Sequence, residues 1–382
     1  MRGITTPVTK IRRQVFTEIA RLAYEDGDYS RIEELPYTII PGEVANYRDS
    51  VFKERAIVGE RLRLAVGLPL RPVDQHAPVS QGMNDSAIAD MFYEPPLINV
   101  ISFACNACEE TSYTVSNLCR NCLAHPCTVV CPVKAVSIVN GHSQIDKTKC
   151  VKCGRCVSAC PYSAITKNVR PCERACKPGA IKMDENRKAH INYEKCVSCG
   201  ACVYQCPFGA IVDKSYITKV IKLFKDSKAK GYPLYAVVAP SISGQFGEVT
   251  TGQVVAGMKQ MGFTTVIEAA LGADLVAYQE GKELVEKGFL TSSCCPAFVS
   301  YIHKNFPKLV PNISHNLSPM AMIAKMVKRA HPDSKIVFVG PCVAKKGEIK
   351  QERVRELVDV TITFEELQAL FDAYDVDLPS ME

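Results

Sequence analysis

The sequence predicts a chain of three parts: a helical N-terminal region, a cysteine-rich α+β region and an α/β region with a largely parallel sheet. Three observations predict it. Residues 1–104 hold no cysteine, sixteen of the 19 cysteines crowd into residues 105–206, and three follow. Ahead of the cysteines, apolar residues recur at helical spacing, and beyond residue 233 short β-rich runs alternate with longer amphipathic ones. At 382 residues the chain exceeds one ordinary core, and these shifts place boundaries at 1–100, 101–215 and 225–382.

In the first part, Thr6-Pro7 reads as a cap followed by a proline at the first helical position, with Ile11, Val15, Ile19 and Leu22 on one face. A second helix runs from Val51 to Val66 and stops at Gly67. The proline-rich stretch from Leu68 to Pro78 and the polar Ser80–Asp90 read as connector. No catalytic constellation occurs here, so the region reads as scaffold or docking surface.

In the third part the candidate strands are Tyr235–Ala239, Thr264–Ile267, Phe289–Thr291, Lys335–Val339 and Val360–Thr363. The candidate helices are Thr251–Met261, Ala273–Lys287, Pro296–Asn305, Pro319–Ala330 and Phe364–Tyr374. Alternation of this kind places ligands beyond the carboxyl ends of strands. Cys294, Cys295 and Cys342 each follow a predicted strand, so the sheet is expected to carry all three to one edge.

Composition excludes several classes. The formal charge of +6 comes from 46 basic against 40 acidic residues, reads as scattered, and includes no arginine-rich arm, which argues against nucleic acid. A solvated mixed surface is the plain reading, with docking of an acidic redox partner next. No stretch approaches the roughly 20 apolar residues that span a bilayer. The N-terminus lacks the apolar core of a secretory signal, so the thiols are expected to be metal ligands in a reducing cytoplasm rather than disulfides.

The cysteine spacing carries the strongest signal. Cys150-Cys153-Cys156-Cys160-Pro161 and Cys196-Cys199-Cys202-Cys206-Pro207 both have the form C-x2-C-x2-C-x3-C-P. Bacterial ferredoxins use this run so that three thiolates hold one [4Fe–4S] cubane and the fourth reaches the neighbouring cluster. Cys119-Cys122-Cys127-Cys131-Pro132 stretches one gap, Cys172 with Cys176 forms a half-run, and Cys105 with Cys108 completes a set of sixteen. Two ferredoxin-like units in tandem, with up to four cubanes, follow. Cross-ligation groups Cys119, Cys122, Cys127 with Cys160; Cys150, Cys153, Cys156 with Cys131; Cys196, Cys199, Cys202 with Cys176; and Cys105, Cys108, Cys172 with Cys206. The competing readings are four-cysteine zinc sites and, for Cys105 with Cys108 alone, a buried or zinc-bound pair.

Thr291-Ser-Ser-Cys-Cys-Pro296, followed by Gly340-Pro-Cys-Val-Ala-Lys-Lys-Gly-Glu348 and preceded by ferredoxin modules, resembles the catalytic domain of [FeFe]-hydrogenases. The resemblance covers roughly residue 100 to the end. It implies reversible reduction of protons to dihydrogen at an H-cluster, a cubane joined to a diiron unit, with electrons passed along the [4Fe–4S] clusters to a partner such as ferredoxin or another electron-transfer subunit. Carried over by residue, it implies that Cys295 and Cys342 hold the cubane and that Cys294 is the proton-relaying thiol. It further implies that Lys345 contacts a cyanide ligand, that Ala239, Pro240 and Ser241 cradle another, and that Glu280, Glu283 and Ser318 form the proton path. The plain readings are buried cysteines for Cys295 and Cys342, a solvated helix face for Glu280 and Glu283 beside Lys282 and Lys287, and a helix N-cap for Ser318.

Three departures from the family pattern stand out. Phe298 replaces a tryptophan in the aromatic wall, and Gly340 replaces a methionine. The family's last signature, which supplies two further cubane thiolates, is absent, and no cysteine follows Cys342. The expectation is therefore an incomplete, divergent catalytic domain, inactive alone. A polyferredoxin-type electron carrier and a hydrogenase-like iron–sulfur assembly protein are the alternatives.

Overall fold

A computed structural model describes residues 5–25, 29–72, 74–83, 95–247 and 249–381. Residues 84–90 of the expected connector lie outside them. The N-terminal helices are α1 (Pro7–Tyr24), α2 (Leu35–Ile39) and α3 (Val51–Ala65). Thr6 caps α1 by accepting the Thr9 N–H at 3.2 Å, and Pro7 opens its first turn. Val15, Ile19 and Leu22 are buried along one face, with Ile11 partly so.

The cysteine-rich region contains twelve short elements: β1 (Ile98–Val100), β2 (Ser112–Val115), α4 (Pro126–Val129), β3 (Val136–Val139), β4 (His142–Ile145), α5 (Arg155–Ala159), β5 (Ile165–Asn168), α6 (Pro171–Ala175), β6 (Ile181–Met183), β7 (Ala189–Ile191), α7 (Ala201–Gln205) and β8 (Ile211–Asp213). Their pairing reveals the arrangement. β2 pairs antiparallel with β5, and β3 with β4 through an Asn140-Gly141 turn at φ 49° and 72°. β1 pairs antiparallel with β8, and β6 with β7. The two units are therefore not in tandem. One, residues 112–168, is inserted into the other, whose first strand and first cysteine pair precede the insertion while the rest follows it. The host unit also begins at Ile98, ahead of the expected boundary at 101.

Beyond α8 (Ile217–Lys230) come β9 (Leu234–Val238), α9 (Thr251–Met261), β10 (Thr265–Glu268), α10 (Ala269–Lys287), α11 (Pro296–Asn305), α12 (Pro319–Ala330), β11 (Lys335–Gly340), α13 (Ala344–Glu348), β12 (Val360–Thr363) and α14 (Phe364–Ala373). The four strands form one parallel sheet in the order β10-β9-β11-β12. β9 and β11 lie adjacent at its centre, and the chain leaves them in opposite directions across the sheet. The point where strand order reverses is where open α/β sheets place their ligands.

Phe289–Thr291 is not a strand of this sheet. Thr291 makes only a single parallel bridge, with Ile313, outside the sheet. Cys342 thus follows a sheet strand as expected, whereas Cys294 and Cys295 are held by loop contacts.

One large core joins the N-terminal helices, the sheet, α14 and the host unit's Ile181, Ile191, Val203 and Ile211. The inserted unit has its own small core around Tyr113, Val136 and Ile165. Buried ion pairs reinforce the large core. Lys346 on α13 is fully buried and meets Asp213 of β8 at 3.3 Å and Glu366 of α14 at 2.9 Å. Arg12 of α1 meets Asp213 at 3.1 Å and Glu365 at 2.7 Å. The host unit is thereby fastened directly behind the Cys342 loop.

Candidate metal centres and the cysteine pair

The pairs Cys105–Cys108, Cys119–Cys122, Cys150–Cys153 and Cys196–Cys199 bend the same way. The residue before the second cysteine of each has left-handed backbone: Ala107, Asn121, Lys152 and Ser198, at φ 47°, 48°, 56° and 53°. Each closing cysteine is followed three residues later by another such residue: Lys134, Ser163, Gly179 and Gly209. The turn aims the next N–H back at the sulfur, so Ala135, Ala164, Ala180 and Ala210 donate to Cys131, Cys160, Cys176 and Cys206 Sγ at 3.2, 3.4, 3.2 and 3.4 Å. All four alanines are buried. A cysteine followed four residues on by alanine is visible in the sequence, and the sequence reading passed over it.

Folding brings the separated thiols together. Cys119, Cys122, Cys127 and Cys160 line one cavity enclosing about 370 Å³ of free space. Cys105, Cys108, Cys172 and Cys206 line another of about 360 Å³. Burial first, and then the thiols of Cys199, Cys196 and Cys176, push the Cys202 thiol up to about 12. Cys131 and Cys150 pack on the small core that contains Cys156. Burial likewise pushes Cys156 up, with Cys150 and Cys153 acting in the same sense.

Crowded thiolates repel one another, and cations between them remove that penalty. The C-x2-C-x2-C-x3-C-P runs and the left-handed turns that follow their closing cysteines favour a multi-iron cluster over a four-cysteine zinc site. All nineteen cysteines are free thiols. The residues present fit cubanes.

At the sheet's switch point, the Ala239 N–H donates to Val339 O at 2.9 Å. Ala239-Pro240-Ser241 and Gly340-Pro341-Cys342 therefore emerge side by side. Gly340 is explained by Phe338: a β-carbon at 340 would lie 2.5 Å from its ring. That ring lies 5.8 Å from Lys345 Nζ, so an aromatic side chain occupies the space beside the glycine.

Cys295 stands at the N-cap position of α11, a ten-residue helix opened by Pro296. Burial pushes the Cys342 thiol up, and the Cys295 and Cys199 thiols push the same way. Cys199 belongs to the host unit, and Gly200 beside it, at φ 78°, would place a β-carbon 2.9 Å from Val343 Cγ2. Only glycine permits that approach at that backbone angle.

Lys345 is buried. Its ammonium donates to Glu348 Oε2 at 2.6 Å and to Cys294 O at 3.2 Å. Glu348, quoted in the motif without a role, is what orients it. Glu280 accepts from Ser292 Oγ and from the Ser293 N–H, both at 3.1 Å, and Ser292 Oγ accepts from the Cys294 N–H at 3.4 Å. Glu283 accepts from Lys287 at 2.7 Å and from Ser314 and Asn316 at 2.9 Å. Burial alone pushes the Glu283 carboxyl up, but hydrogen bonds from Lys287, Ser314 and the His315 N–H hold it below the usual glutamate range.

The two carboxylates are thus half-buried and engaged, not a solvated face. Ser318 is buried and caps α12 through the Ala321 N–H at 3.4 Å. The hydroxyls that touch the carboxylates are those of Ser292 and Ser314. Phe298 stands exposed on α11.

Comparison with known proteins agrees with this geometry. Residues 232–382 match the family described as iron only hydrogenase large subunit, C-terminal domain. Residues 149–209 match a 4Fe-4S double cluster binding domain, and residues 119–169 the LdpA Fe-S cluster-binding domain. The chain is 33% identical over 267 residues to the periplasmic [Fe] hydrogenase large subunit of Nitratidesulfovibrio vulgaris, covering 62% of this chain and 59% of that one. It is 30% identical over 265 residues to iron hydrogenase 1 of Clostridium pasteurianum, covering 62% and 45%. A cytosolic Fe-S cluster assembly factor, NAR1 of Eremothecium gossypii, is 34% identical over 121 residues, covering 30% of this chain and 27% of the factor. The chain thus spans about half the length of the two hydrogenases. It is homologous to iron hydrogenase large subunits and carries [4Fe–4S] cluster-binding domains. No helix among the described residues is long and apolar enough to cross a membrane.

Proposed function

We propose that the chain is the electron-transfer part and a portion of the catalytic domain of an iron–sulfur oxidoreductase that interconverts protons, electrons and dihydrogen. The observation that carries this is the meeting of Cys294, Cys295, Cys342 and a motif-placed Lys345 at the sheet's switch point, beside Cys199 of the host unit. When bound, the H-cluster supplies the open metal site at which dihydrogen is formed or split. Cys295 and Cys342 supply two thiolates toward its cubane. Cys294, an exposed thiol next to Cys295, would carry protons to and from that site at its Sγ. Glu280, linked through Ser292 to the Cys294 peptide, passes protons outward, and Glu283 continues the path. Lys345, oriented by Glu348, places a positive charge where anionic ligands sit. Ala239 to Ser241 supply the opposite wall.

Electrons enter through the inserted unit and leave the host unit at Cys199. Residues 112–168 carry seven basic residues against one acidic, an excess equal to the +6 of the whole chain. The charge is therefore not scattered. The host segments, 95–111 and 169–213, hold seven of each. Leu123, Val129 and Val151 are exposed on the inserted unit. A basic surface with apolar points fits an acidic ferredoxin-type carrier. Nineteen free thiols suit the reducing cytoplasm.

Similarity to the assembly factor favours a second reading, in which the clusters serve iron–sulfur biogenesis without a diiron unit. Infrared spectroscopy of the protein purified from its native source separates the two. Bands of metal-bound carbonyl and cyanide are expected, and their absence from a fully iron-loaded preparation would overturn the hydrogenase reading.

A further inference from the structure

The four cysteine sets differ in the charges around them. Arg170, 2% exposed, lines the same cavity as Cys105, Cys108, Cys172 and Cys206. Its guanidinium donates to Cys108 O, and to Arg187 O at 3.0 Å, while its Nε has no hydrogen-bond partner among the described residues. Lys188 donates to Cys105 O at 2.7 Å. Arg48 donates to Ala104 O at 3.1 Å and to Phe208 O at 2.6 Å. Arg61, 5% exposed, donates to Gly209 O at 2.8 Å and also leaves its Nε without a partner.

Four cations thus grip carbonyls at or beside Cys105, Cys108 and Cys206. Arg170 has one carboxylate near it, Glu173 at 3.8 Å; among the described residues Arg48, Arg61 and Lys188 form no ion pair.

The other sets lack such a belt. The Cys119 cavity is lined by Arg120, which is exposed. Lys152, between Cys150 and Cys153, is paired with Glu110 at 3.1 Å. Near Cys196 the exposed Lys304 donates to Cys196 O at 2.7 Å. An exposed or paired cation is screened, whereas a buried unpaired one acts through a low dielectric.

A cubane on four thiolates is anionic, and reduction adds one negative charge. Buried cations stabilise the reduced form more than the oxidised one. We propose that the cluster held by Cys105, Cys108, Cys172 and Cys206 has the highest reduction potential of the four, and that Arg170 and its neighbours set it there. It is the resting place of the first electron, in the same unit as the cluster that faces Cys342. The Arg61 Nε, which has neither a hydrogen bond nor an ion pair among the described residues, is then explained, because its counter-ion is the cluster. The inference rests on the proposed grouping of these four cysteines.

The test is an anaerobic redox titration followed by electron paramagnetic resonance on the full-length, cluster-loaded protein, with dithionite as reductant. Cys172→Ser should alter the signal that appears first on reduction. Arg170→Gln should lower that signal's midpoint by about a tenfold change in its reduced-to-oxidised ratio at fixed potential, which is about 59 mV for one electron. Arg170→Lys should restore most of the shift, and the other midpoints should stay in place. Lys188→Gln, expected to act in the same direction, serves if Arg170→Gln fails to load its clusters. If Cys172→Ser alters no signal, the grouping itself is wrong. If it alters a signal other than the first, the cluster is not the highest in potential. If Arg170→Gln lowers only the melting temperature and leaves the midpoint unmoved, the cations merely clamp the loops. Each of these results overturns the proposal.

Discussion

The inserted and host units are built from the same parts, two antiparallel ribbons, two helices of four or five residues and eight cysteines, yet they are stabilised in different ways. The host unit buries Ile181, Ile191, Val203 and Ile211 in the core it shares with the catalytic sheet and is tied to that sheet by Lys346. The inserted unit closes only on itself, around Tyr113, Val136 and Ile165. It carries all of the chain's excess positive charge, and the host carries none. On the proposed function, identical local turns serve two roles, a fixed terminus beside the Cys342 loop and a contact for a soluble carrier. Burial and charge outside the turns decide which.

Iron removal should separate the units most. A core as small as that of the inserted unit cannot hold without its metals. Anaerobic chelation should expose residues 112–168 to protease first, while the host segments stay protected by the large core. Equal cleavage of both units would break the comparison.

Next in size is Lys346→Met, which leaves Glu366 buried without its cation and Asp213 with Arg12 alone. A loss of about 3–5 kcal/mol in denaturant unfolding is expected. Lys152→Met, breaking a half-exposed pair between the inserted unit and Glu110 of the host, should cost about 0–1 kcal/mol. Burial opposes the Lys346 charge, but Glu366 and Asp213 outweigh it and raise its pKa above the ordinary 10.5. Its contribution is then complete below pH 10.5 and is lost as pH rises through the raised value. The gap in melting temperature between wild type and variant should stay constant up to about pH 10.5 and narrow above it.

The equivalent glycines sharpen the comparison. Gly154 and Gly200 both sit at φ 78°, so alanine at either should cost about 1–2 kcal/mol. A β-carbon at Gly154 meets Tyr113 within its own unit, whereas one at Gly200 meets Val343 next to Cys342. Intramolecular electron transfer, followed by stopped-flow spectroscopy, should slow in Gly200→Ala and stay unchanged in Gly154→Ala.

The smallest effect expected is on association. Lys134→Glu with Lys167→Glu should slow binding of an acidic two-cluster ferredoxin about tenfold at low salt, with the difference vanishing at high salt. Lys182→Glu in the host unit should change little.

Local signals were read well. Thr251–Met261, Pro296–Asn305, Pro319–Ala330 and Val360–Thr363 were legible to the residue. Each helix among them is opened by a proline or by a capping box, as at Thr250 with Gln253. The start of α10 was missed by four residues because Ala269 follows a strand with no capping side chain to mark the boundary. Non-local features were not legible. Counting thiols assigned Cys105 and Cys108 to Cys172 and Cys206, but nothing in their spacing showed that a whole unit lay between. Lys346 and Lys345 are adjacent in sequence, and only the fold shows that one locks the host unit while the other faces Cys294. The hydrogen bond between Glu280 and Ser292 was not legible either, because it joins a helix to a loop hydroxyl whose position only the fold sets.

The nested arrangement is tested most directly by cutting the inserted unit out. Ser112 and Asn168 are paired across β2 and β5, so the chain enters and leaves the insertion at neighbouring points and residues 111–169 can be replaced by a short turn. After anaerobic reconstitution, the full chain should hold about 16 iron and the shortened one about 8, because Cys105, Cys108, Cys172, Cys176, Cys196, Cys199, Cys202 and Cys206 still form two complete cubane sites. A shortened protein that folds but holds about 4 iron would show that Cys105 and Cys108 do not complete the host unit, and the account of two nested two-cluster units would fall.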